Sequence, residues 1–473
     1  MPILGRDSEK QRIKEIVEAE KPAFIALYGR RRVGKTFLIK EYFNNEFTFY
    51  ATGLAKSNTK TQLVNFIFFV NKTFNTAHNT AKNWLAAFTI LQDELEKIKG
   101  DKVIFIDELP WFDTKKSDFL TGLEFFWNSW ASTQKGLKLF VCGSAASWMI
   151  NKLIKNKGGL HNRVTHRFKI EPFTLQETET FLQAQDIFID RYQIVNLYMV
   201  MGGIPYYLEQ VKKGESAAQN IERICFTKEG QLRTEFKFIF SSLFNNSDKH
   251  EKLLRKIYEL GNRATRDNLV AGLKILSSGD FSTKLNELEE SGFIKSYTPL
   301  GVKKSKKIYV IADYYTLFYF KFIENAGKYE AGQWVNRLND AATKVWAGLT
   351  FEQVCWDHTQ NIKKKLGIGG VYSETSTWSK QADDTSGGAQ IDLVIDRKDR
   401  VINLFEIKYA INPFEITKEY DLKLRNKVAA FMQSTKTNKA VFLTMITTFG
   451  LVQNQYSGSI VHNEIMMDDL FVE

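Results

Sequence analysis

Cysteine is scarce in this sequence. Only Cys142, Cys225 and Cys355 occur among the 473 residues, and they lie far apart with no CxxC spacing. An odd number of isolated cysteines argues against both a disulfide framework and a structural zinc site. We therefore expect a reducing, cytoplasmic compartment.

Long hydrophobic runs are absent as well. The first residues, MPILGRDSEK, hold no apolar stretch of the kind found in a secretory signal, and no later segment reaches the ~18 apolar residues that a membrane span needs. We expect no membrane partner. The composition, 44% hydrophobic and 25% charged, is typical of a globular chain. The length predicts about two to four domains.

Basic residues outnumber acidic ones, and the formal net charge is +11. A basic chain favours polyanionic partners such as nucleic acid, because binding releases counterions. The alternative is an ordinary basic surface with no such partner, and the net charge alone does not decide between the two.

The first 170 residues alternate short apolar runs with helical patterns. The runs AFIALYG, KVIFIDE and LKLFVCGS, at residues 23–29, 102–108 and 137–144, indicate buried strands. Strands that alternate with helices indicate a parallel sheet with helices on both faces. The predicted fold class is therefore α/β, with residues 1–170 as its core.

The segment GRRRVGKT joins the first of these strands to a helix and fits the phosphate-loop pattern G-x4-G-K-[ST]. Its two glycines let backbone N–H groups curl around phosphates at the positive end of the helix. We expect Lys35 to reach the β- and γ-phosphates of ATP and the Thr36 hydroxyl to ligate Mg²⁺. The predicted nucleotide-binding residues of this loop are Gly29, Arg30, Arg31, Arg32, Val33, Gly34, Lys35 and Thr36.

A pair of acidic residues follows the second apolar run. Asp107 ends that strand, where it is predicted to hold the magnesium ion and its water shell. Glu108 is then positioned to polarise the attacking water as a general base. The alternative is an acidic strand end that faces solvent.

This region resembles the archaeal-type AAA+ ATPases, which are related to the signal-transducing ATPases with numerous domains. LGRDSEKQRI is similar to the opening Gly-Arg box of that family, GSAASWM to its sensor segment, and GGIPYYLEQV to the Gly-x-Pro element of its helical lid. The resemblance implies that Gly5 and Arg6 lie near the nucleotide, that Ser144 senses the γ-phosphate, and that Pro205 covers the adenine. It also implies a P-loop AAA+ core followed by a helical lid, and residues 171–246 have a wholly helical pattern.

The stretch LHNRVTHRFKIEPF resembles the family segment in which an arginine precedes a strand. The resemblance implies that Arg163 responds to nucleotide, either within its own chain or across a subunit boundary in an oligomer. Arg167 is a competing candidate, and an ordinary surface arginine is the alternative for Arg163.

Residues 247–312 contain three helical stretches, then two short strand-like pieces around a basic turn. Three helices and a small hairpin are typical of a winged helix, whose wing would meet DNA phosphates. The candidate recognition helix carries acidic residues, so packing against protein is the other interpretation. The lysines of the predicted wing are Lys303, Lys304, Lys306 and Lys307.

Residues 313–473 begin with a helical pattern and then become rich in strands. Asp392 lies near the start of one strand, and Glu406 and Lys408 lie on one face of the next, since strand side chains alternate. Two carboxylates and a lysine can hold Mg²⁺ and activate water for phosphodiester hydrolysis. A solvated hairpin of mixed charge is the alternative.

The pattern D-x13-E-x-K resembles the PD-(D/E)XK nuclease fold, which occurs at the C-terminus of the same ATPase family. The upstream stretch FEQVCW implies that Glu352 is the additional helix glutamate of that fold, while Ile391 stands where a proline is common. The resemblance implies a restriction-endonuclease-like α/β domain over residues 313–473, in which Asp392 and Glu406 are the metal ligands.

Together these patterns predict a protein that uses ATP and Mg²⁺ and acts on nucleic acid, with DNA as the expected partner. In this hypothesis the ATPase gates a C-terminal phosphodiesterase. One rival is a nucleotide switch that scaffolds protein partners and carries a catalytically silent nuclease-like domain. A sequence-specific DNA-binding regulator is the third alternative.

Overall fold

The computed structural model describes residues 3–156, 158–244, 247–303, 306–327, 332–381 and 388–472. Lys304 of the predicted wing lies outside the described residues, as do residues 1, 246 and 473, at which predicted domains begin or end. The chain divides into two compact units. The first holds the described parts of Met1–Pro172, Ser241–Asn245 and Thr283–Gly292, and the second those of Phe173–Phe240, Asn246–Ser282 and Phe293–Glu473.

The first unit is built on a parallel sheet, which in the described part of the chain has five strands in the order β2-β3-β4-β1-β5. The strands are β1 (Ala23–Tyr28), β2 (Phe49–Thr52), β3 (Lys102–Asp107), β4 (Leu137–Cys142) and β5 (His166–Lys169). Because all of them run the same way, the residues that follow β1, β3 and β4 meet at one edge of the sheet. The predicted α/β class and parallel sheet are confirmed.

Helices connect these strands and bury the sheet. They are α1 (Asp7–Glu18), α2 (Lys35–Tyr42), α3 (Thr59–Phe74), α4 (Trp84–Glu96), α5 (Leu109–Phe112), α6 (Phe119–Ser129) and α7 (Ala146–Trp148), which continues as a π-helical turn, Met149–Ile154. Much of the chain's aromatic content packs here. The rings of Trp84 and Phe119, for example, are 4.8 Å apart in an edge-to-face contact within the core.

The second unit begins with helices. They are α8 (Leu175–Gln183), α9 (Arg191–Met201), α10 (Pro205–Leu208), α11 (Ala217–Ile221) with a π-helical turn Glu222–Phe226, and α12 (Gln231–Leu243), whose last residues belong to the first unit. The start of α8 is fixed by a capping box, in which Thr174 and Glu177 each bond the other's backbone N–H.

Three further helices and a small antiparallel sheet follow. The helices are α13 (Ser247–Glu259), α14 (Arg266–Leu273) and α15 (Gly279–Glu290), and the strands β6 (Ala264–Thr265), β7 (Ile294–Tyr297) and β8 (Ile308–Ile311) lie in the order β6-β8-β7. Between β7 and β8, Lys303, Lys306 and Lys307 are exposed. Whether this segment works as a winged helix stays a prediction.

The C-terminal part of the second unit is a mixed sheet in the order β13-β12-β11-β10-β9. Its strands are β9 (Ser373–Lys380), β10 (Ala389–Arg397), β11 (Val401–Lys408), β12 (Ala440–Thr447) and β13 (Asn463–Met466). The helices are α16 (Tyr314–Phe318), α17 (Ala341–Asp357), α18 (Thr359–Lys365), α19 (Lys418–Thr435) and α20 (Ser457–Ile460). Among the described helices, none is both long and apolar enough to cross a membrane.

Candidate functional site

Residues with positive φ shape the loop between β1 and α2. Gly29, Arg32 and Gly34 have φ values of 137°, 71° and 87°. A Cβ on Gly29 would lie 2.3 Å from the carbonyl oxygen of Ile170, so glycine is required there. Gly34 caps α2, and the unpaired N–H groups of the first helical turn therefore open onto the loop.

Lys35 is held inside this loop. Its Nζ donates to the carbonyl oxygens of Gly29 at 3.2 Å and of Arg30 at 2.8 Å, and its side chain is buried. Burial lowers the pKa of Lys35, while acidic groups nearby act in the opposite direction. The loop thus contains a buried ammonium group that a phosphate can take over from two carbonyl oxygens.

Thr36 and Asp107 meet at the ends of neighbouring elements. The Thr36 hydroxyl donates to Oδ1 of Asp107 at 3.0 Å, and the backbone N–H of Glu108 donates to the same oxygen at 2.9 Å. The thiol of Cys142, at the end of β4, is a further donor to it. A hydroxyl and a carboxylate oxygen side by side are the hard ligands that Mg²⁺ prefers, so this pair fits the ion.

Glu108 is half-buried beside the same edge and is held by Ser144. Its Oε2 accepts the backbone N–H of Ser144 at 3.1 Å and the Ser144 hydroxyl at 3.0 Å. Burial raises the pKa of Glu108, and both bonds from Ser144 oppose that rise. A raised pKa suits a carboxylate that must take a proton near neutral pH.

Arg6 also contacts the loop. It has a φ of 59°, follows Gly5 (φ 62°), and its guanidinium donates to the carbonyl oxygen of Val33 at 3.2 Å. The structure therefore brings Arg6 to the same loop as Lys35. Arg30 is buried in the loop, while Arg31 and Arg32 are half-buried.

Arg163 lies away from this edge of the sheet. It is exposed in the turn before β5, and the next residues pair with the start of β1, where Thr165 N donates to Phe24 O at 2.9 Å. The strand from Phe24 to Gly29 covers roughly 16 Å at ~3.3 Å per residue. Arg163 is thus not brought to the loop of its own chain, and action across a subunit boundary stays a prediction.

Pro205 belongs to the second unit. It is the first residue of α10, where its fixed φ suits the start of a helix, and it follows Gly202 and Gly203, both with a φ of 65°. Its predicted contact with adenine stays a prediction.

The C-terminal carboxylates lie on neighbouring strands. The antiparallel register sets Leu393 opposite Phe405, so Asp392 and Glu406 are the next residues of β10 and β11. The side chain of Asp392 accepts the backbone N–H of Ile407 at 3.4 Å. The structure thus brings the two predicted metal ligands together on adjacent strands.

Glu406 is buried within a network of donors. Its Oε1 accepts Lys408 Nζ at 2.9 Å and the Tyr420 hydroxyl at 2.6 Å, and its Oε2 accepts Lys427 Nζ at 2.6 Å. Burial alone would raise the pKa of Glu406, but Lys408 and Lys427 outweigh it and the pKa is lowered. The same network raises the pKa of Lys408, against the effect of burial.

The pKa values of Glu352 and Asp392 are raised, in contrast to that of Glu406. Burial raises the pKa of Glu352, and the neighbouring charge of Asp392 adds to that rise. Burial also raises the pKa of Asp392, and Glu406 adds to it. The three carboxylates therefore repel one another when all are ionised, which favours a bound cation or proton.

Among the described residues, no group of three or more His, Cys, Asp or Glu side chains is arranged to hold a metal ion. Glu352, Asp392 and Glu406 are therefore not a preformed three-carboxylate site. Mg²⁺ usually binds through only one or two carboxylates together with water and phosphate oxygens, and Asp392 with Glu406 fit that chemistry. A metal ion at Glu406 would compete with Lys408 and Lys427, because these two lysines already bind the carboxylate oxygens.

Three contacting residues were not predicted from the sequence. In the sequence Cys142 is only an isolated cysteine, although its thiol bonds Asp107, and no motif marks Tyr420 or Lys427. The last two lie seven residues apart on α19, which places them on one face of the helix. That spacing was visible in the sequence, but nothing in it indicated which strand the face would meet.

Comparison with known proteins agrees with this geometry in the first part of the chain. Residues 4–211 match the family described as an ATPase domain predominantly from Archaea. This part of the chain, which is built on a parallel-sheet core, is therefore similar to an archaeal-type ATPase domain, and the match supports ATPase activity.

Similarity to individual proteins extends further along the chain. The protein MJECL04 of Methanocaldococcus jannaschii is 26% identical over 412 residues, which cover 86% of this chain and 87% of that protein. The Walker-type ATPase PABY2304 of Pyrococcus abyssi has a TM-score of 0.49 and 17% identity, over 67% of this chain and 95% of that one. The ORC2 protein of Aeropyrum pernix has a TM-score of 0.43 and 12% identity, over 66% and 92%.

Proposed function

We propose that residues 4–211 bind ATP with Mg²⁺ and hydrolyse it. The observation that carries the proposal is the convergence, at one sheet edge, of the Lys35 loop, the Thr36–Asp107 pair and Glu108. The match of this segment to an ATPase domain family supports the same activity.

Each residue has a distinct part in this proposal. Lys35 and the N–H groups at the start of α2 bind the β- and γ-phosphates, and Thr36 with Asp107 would hold Mg²⁺, which neutralises phosphate charge when bound. Glu108 takes a proton from the attacking water. Ser144 holds Glu108 until nucleotide enters and then contacts the γ-phosphate.

The test of this proposal is Glu108→Gln. The amide keeps the shape of the side chain but is a poor proton acceptor, so ATP should bind with unchanged affinity while turnover falls by about 100-fold or more. Binding of a fluorescent ATP analogue and release of phosphate measure the two properties separately. Normal hydrolysis by this variant would show that Glu108 is not the base.

We further propose that the second unit acts on nucleic acid as a metal-dependent phosphodiesterase. What supports it is the placement of Asp392 and Glu406 on adjacent strands, with Lys408 beside them and Glu352 electrostatically coupled to both carboxylates. DNA is the proposed substrate, and exposed wing lysines would add contacts to its phosphates. For the ATPase, action of Arg163 on the nucleotide of a neighbouring subunit would require an oligomer.

The rival proposal is a nucleotide switch with a catalytically silent nuclease-like domain. The ion pairs of Lys408 and Lys427 with Glu406 favour it, because they use the carboxylate oxygens that a metal ion would need. A plasmid, a single strand and an RNA are incubated with Mg²⁺ or Mn²⁺, with and without ATP. Cleavage that is lost in Asp392→Ala but kept in Asp399→Ala, an exposed turn residue of the same hairpin, supports the phosphodiesterase. ATP hydrolysis with no cleavage of any substrate supports the switch.

A further inference from the structure

A cavity of about 490 Å³ lies within the second unit beside the C-terminal carboxylates. Glu352 and Asp392 form part of its wall. The remainder comes from the end of α13, the small antiparallel sheet, α16 and the turn after it, α17, and the strands β9 and β10. The volume lies within the range of roughly 300–1,000 Å³ that is usual for small-molecule sites. It is far too small for a duplex to enter.

One face of α17 is turned to this cavity. Val345, Leu349, Glu352 and Trp356 follow one another at helical spacing and all line it. Val345 and Leu349 are 63% and 60% exposed, so this face of the helix presents apolar surface that the chain leaves uncovered. The cavity therefore has an apolar end on α17 and an acidic end at Glu352.

An aromatic pair stands next to the acidic end. The rings of Tyr297 and Trp356 are 5.4 Å apart at an angle of 33°, and both are only half-buried. The indole N–H of Trp356 donates to the backbone carbonyl of Asp392 at 3.1 Å. This bond fixes a flat ring against the strand that carries the proposed metal ligand.

Positive charge lines the same wall. The described contacts of the Arg263 guanidinium include one long hydrogen bond, to the Thr377 hydroxyl at 3.5 Å, and no ion pair. Lys295 is paired with Asp357 at 2.6 Å and lies 6.0 Å from the centre of the Trp356 ring. Arg263 therefore keeps N–H donors available for an anion in the cavity, close to Glu352, whose charge it stabilises.

We propose that this cavity binds one unpaired nucleotide of a single-stranded nucleic acid, with its base on the Tyr297–Trp356 pair and its phosphate at Arg263. The inference rests on the proposed phosphodiesterase, because it makes single strands and frayed ends the substrate of that site. A flat base matches the aromatic pair, and the volume admits one nucleotide rather than a helix. The phosphate then lies on the side of the cavity that carries Asp392.

The test measures binding without cleavage. Fluorescence anisotropy compares a short single strand with a blunt duplex of the same sequence, in the presence of a metal chelator. Tyr297→Leu and Arg263→Gln should each weaken single-strand binding by about tenfold, the effect of one lost stacking or charged contact, and leave duplex binding unchanged. The matched controls are Tyr372→Leu and Lys364→Gln, exposed residues outside the cavity that remove the same kinds of group.

A 2-aminopurine base in the single strand gives a second signal, because stacking on an aromatic ring quenches its fluorescence. Quenching that is lost in Tyr297→Leu supports the proposal even if that variant is slightly destabilised, provided that its circular dichroism spectrum and its affinity for the duplex are unchanged. Equal affinity for strand and duplex, or cavity variants that bind like their controls, would overturn it. Selective single-strand binding with no cleavage in Mg²⁺ or Mn²⁺ would overturn the phosphodiesterase alone.

Discussion

Ser144 controls the proton affinity of Glu108. Both of its hydrogen bonds stabilise the ionised carboxylate, whereas burial raises its pKa. Both hydrogen bonds described for this carboxylate come from Ser144, so the loss of the hydroxyl removes one of the two. The chemistry of the ATPase site therefore depends on a residue that lies one strand away from the base.

Ser144→Ala should shift the acid limb of ATP hydrolysis to higher pH. The variant loses the bond from the hydroxyl, the pKa of Glu108 rises further, and less of the base is ionised at any acidic pH. A bond of about 1 kcal/mol corresponds to roughly 0.7 pH units. The measurement is kcat/KM as a function of pH, which reports the enzyme before nucleotide binds, with Ser147→Ala as the control in the same segment. An acid limb that stays in place or moves to lower pH would contradict the assignment.

At the scale of elements, the sequence predicts those features of the site that are formed by residues close together in the chain. The strand, loop and helix around Gly29 to Thr36 form a local pattern, because each glycine and the helix start act over a few residues. Asp107 was predictable because it ends an apolar run. The contacts between elements were not, since Cys142 and Ser144 approach the acidic pair only once β4 lies beside β3.

The packing of α19 against β11 is another contact between separate elements that the sequence does not predict. Lys427 and Tyr420 reach Glu406 from α19, and nothing within that helix indicates which strand it packs against. The depressed pKa of Glu406 has a consequence for stability. The stabilisation from its ion pairs is fully present above the ordinary glutamate value of 4.5 and is lost as the pH falls through the lower pKa of the folded state.

Lys427→Met should therefore reduce the acid sensitivity of unfolding. Glu406 keeps Lys408 but loses one of its two cations, so its pKa rises toward the ordinary value, and the free energy of unfolding falls by about 1–3 kcal/mol near pH 7. The difference from the unchanged protein should shrink below pH 4.5. Urea unfolding at several pH values measures it. Lys423→Met, which removes an exposed pair with Glu419 on the same helix, is the control and should change little.

At the scale of the whole molecule, composition and motifs predict four domains, and the described chain groups into two compact units. Residues 241–244 and 283–292, which lie within the predicted lid and winged-helix segments, group with the first unit. Predicting domains from sequence patterns places residues that are neighbours in the chain in the same domain. Compactness instead depends on packing between residues that are far apart in the chain.

The two proposed activities use residues of different units, so they can be separated genetically. Lys35 is the phosphate-binding ammonium of the first unit, and Lys35→Ala should weaken ATP binding by about 100-fold, or ~3 kcal/mol. If ATP gates the phosphodiesterase, this variant keeps its basal metal-dependent cleavage but loses the response to ATP, and Asp392→Ala keeps ATP hydrolysis but loses cleavage. Lys40→Ala, on the same helix and over the Tyr50 ring, is the control. Cleavage that responds equally to ATP in Lys35→Ala, or that ignores ATP in the unchanged protein, would show that the ATPase domain does not gate it.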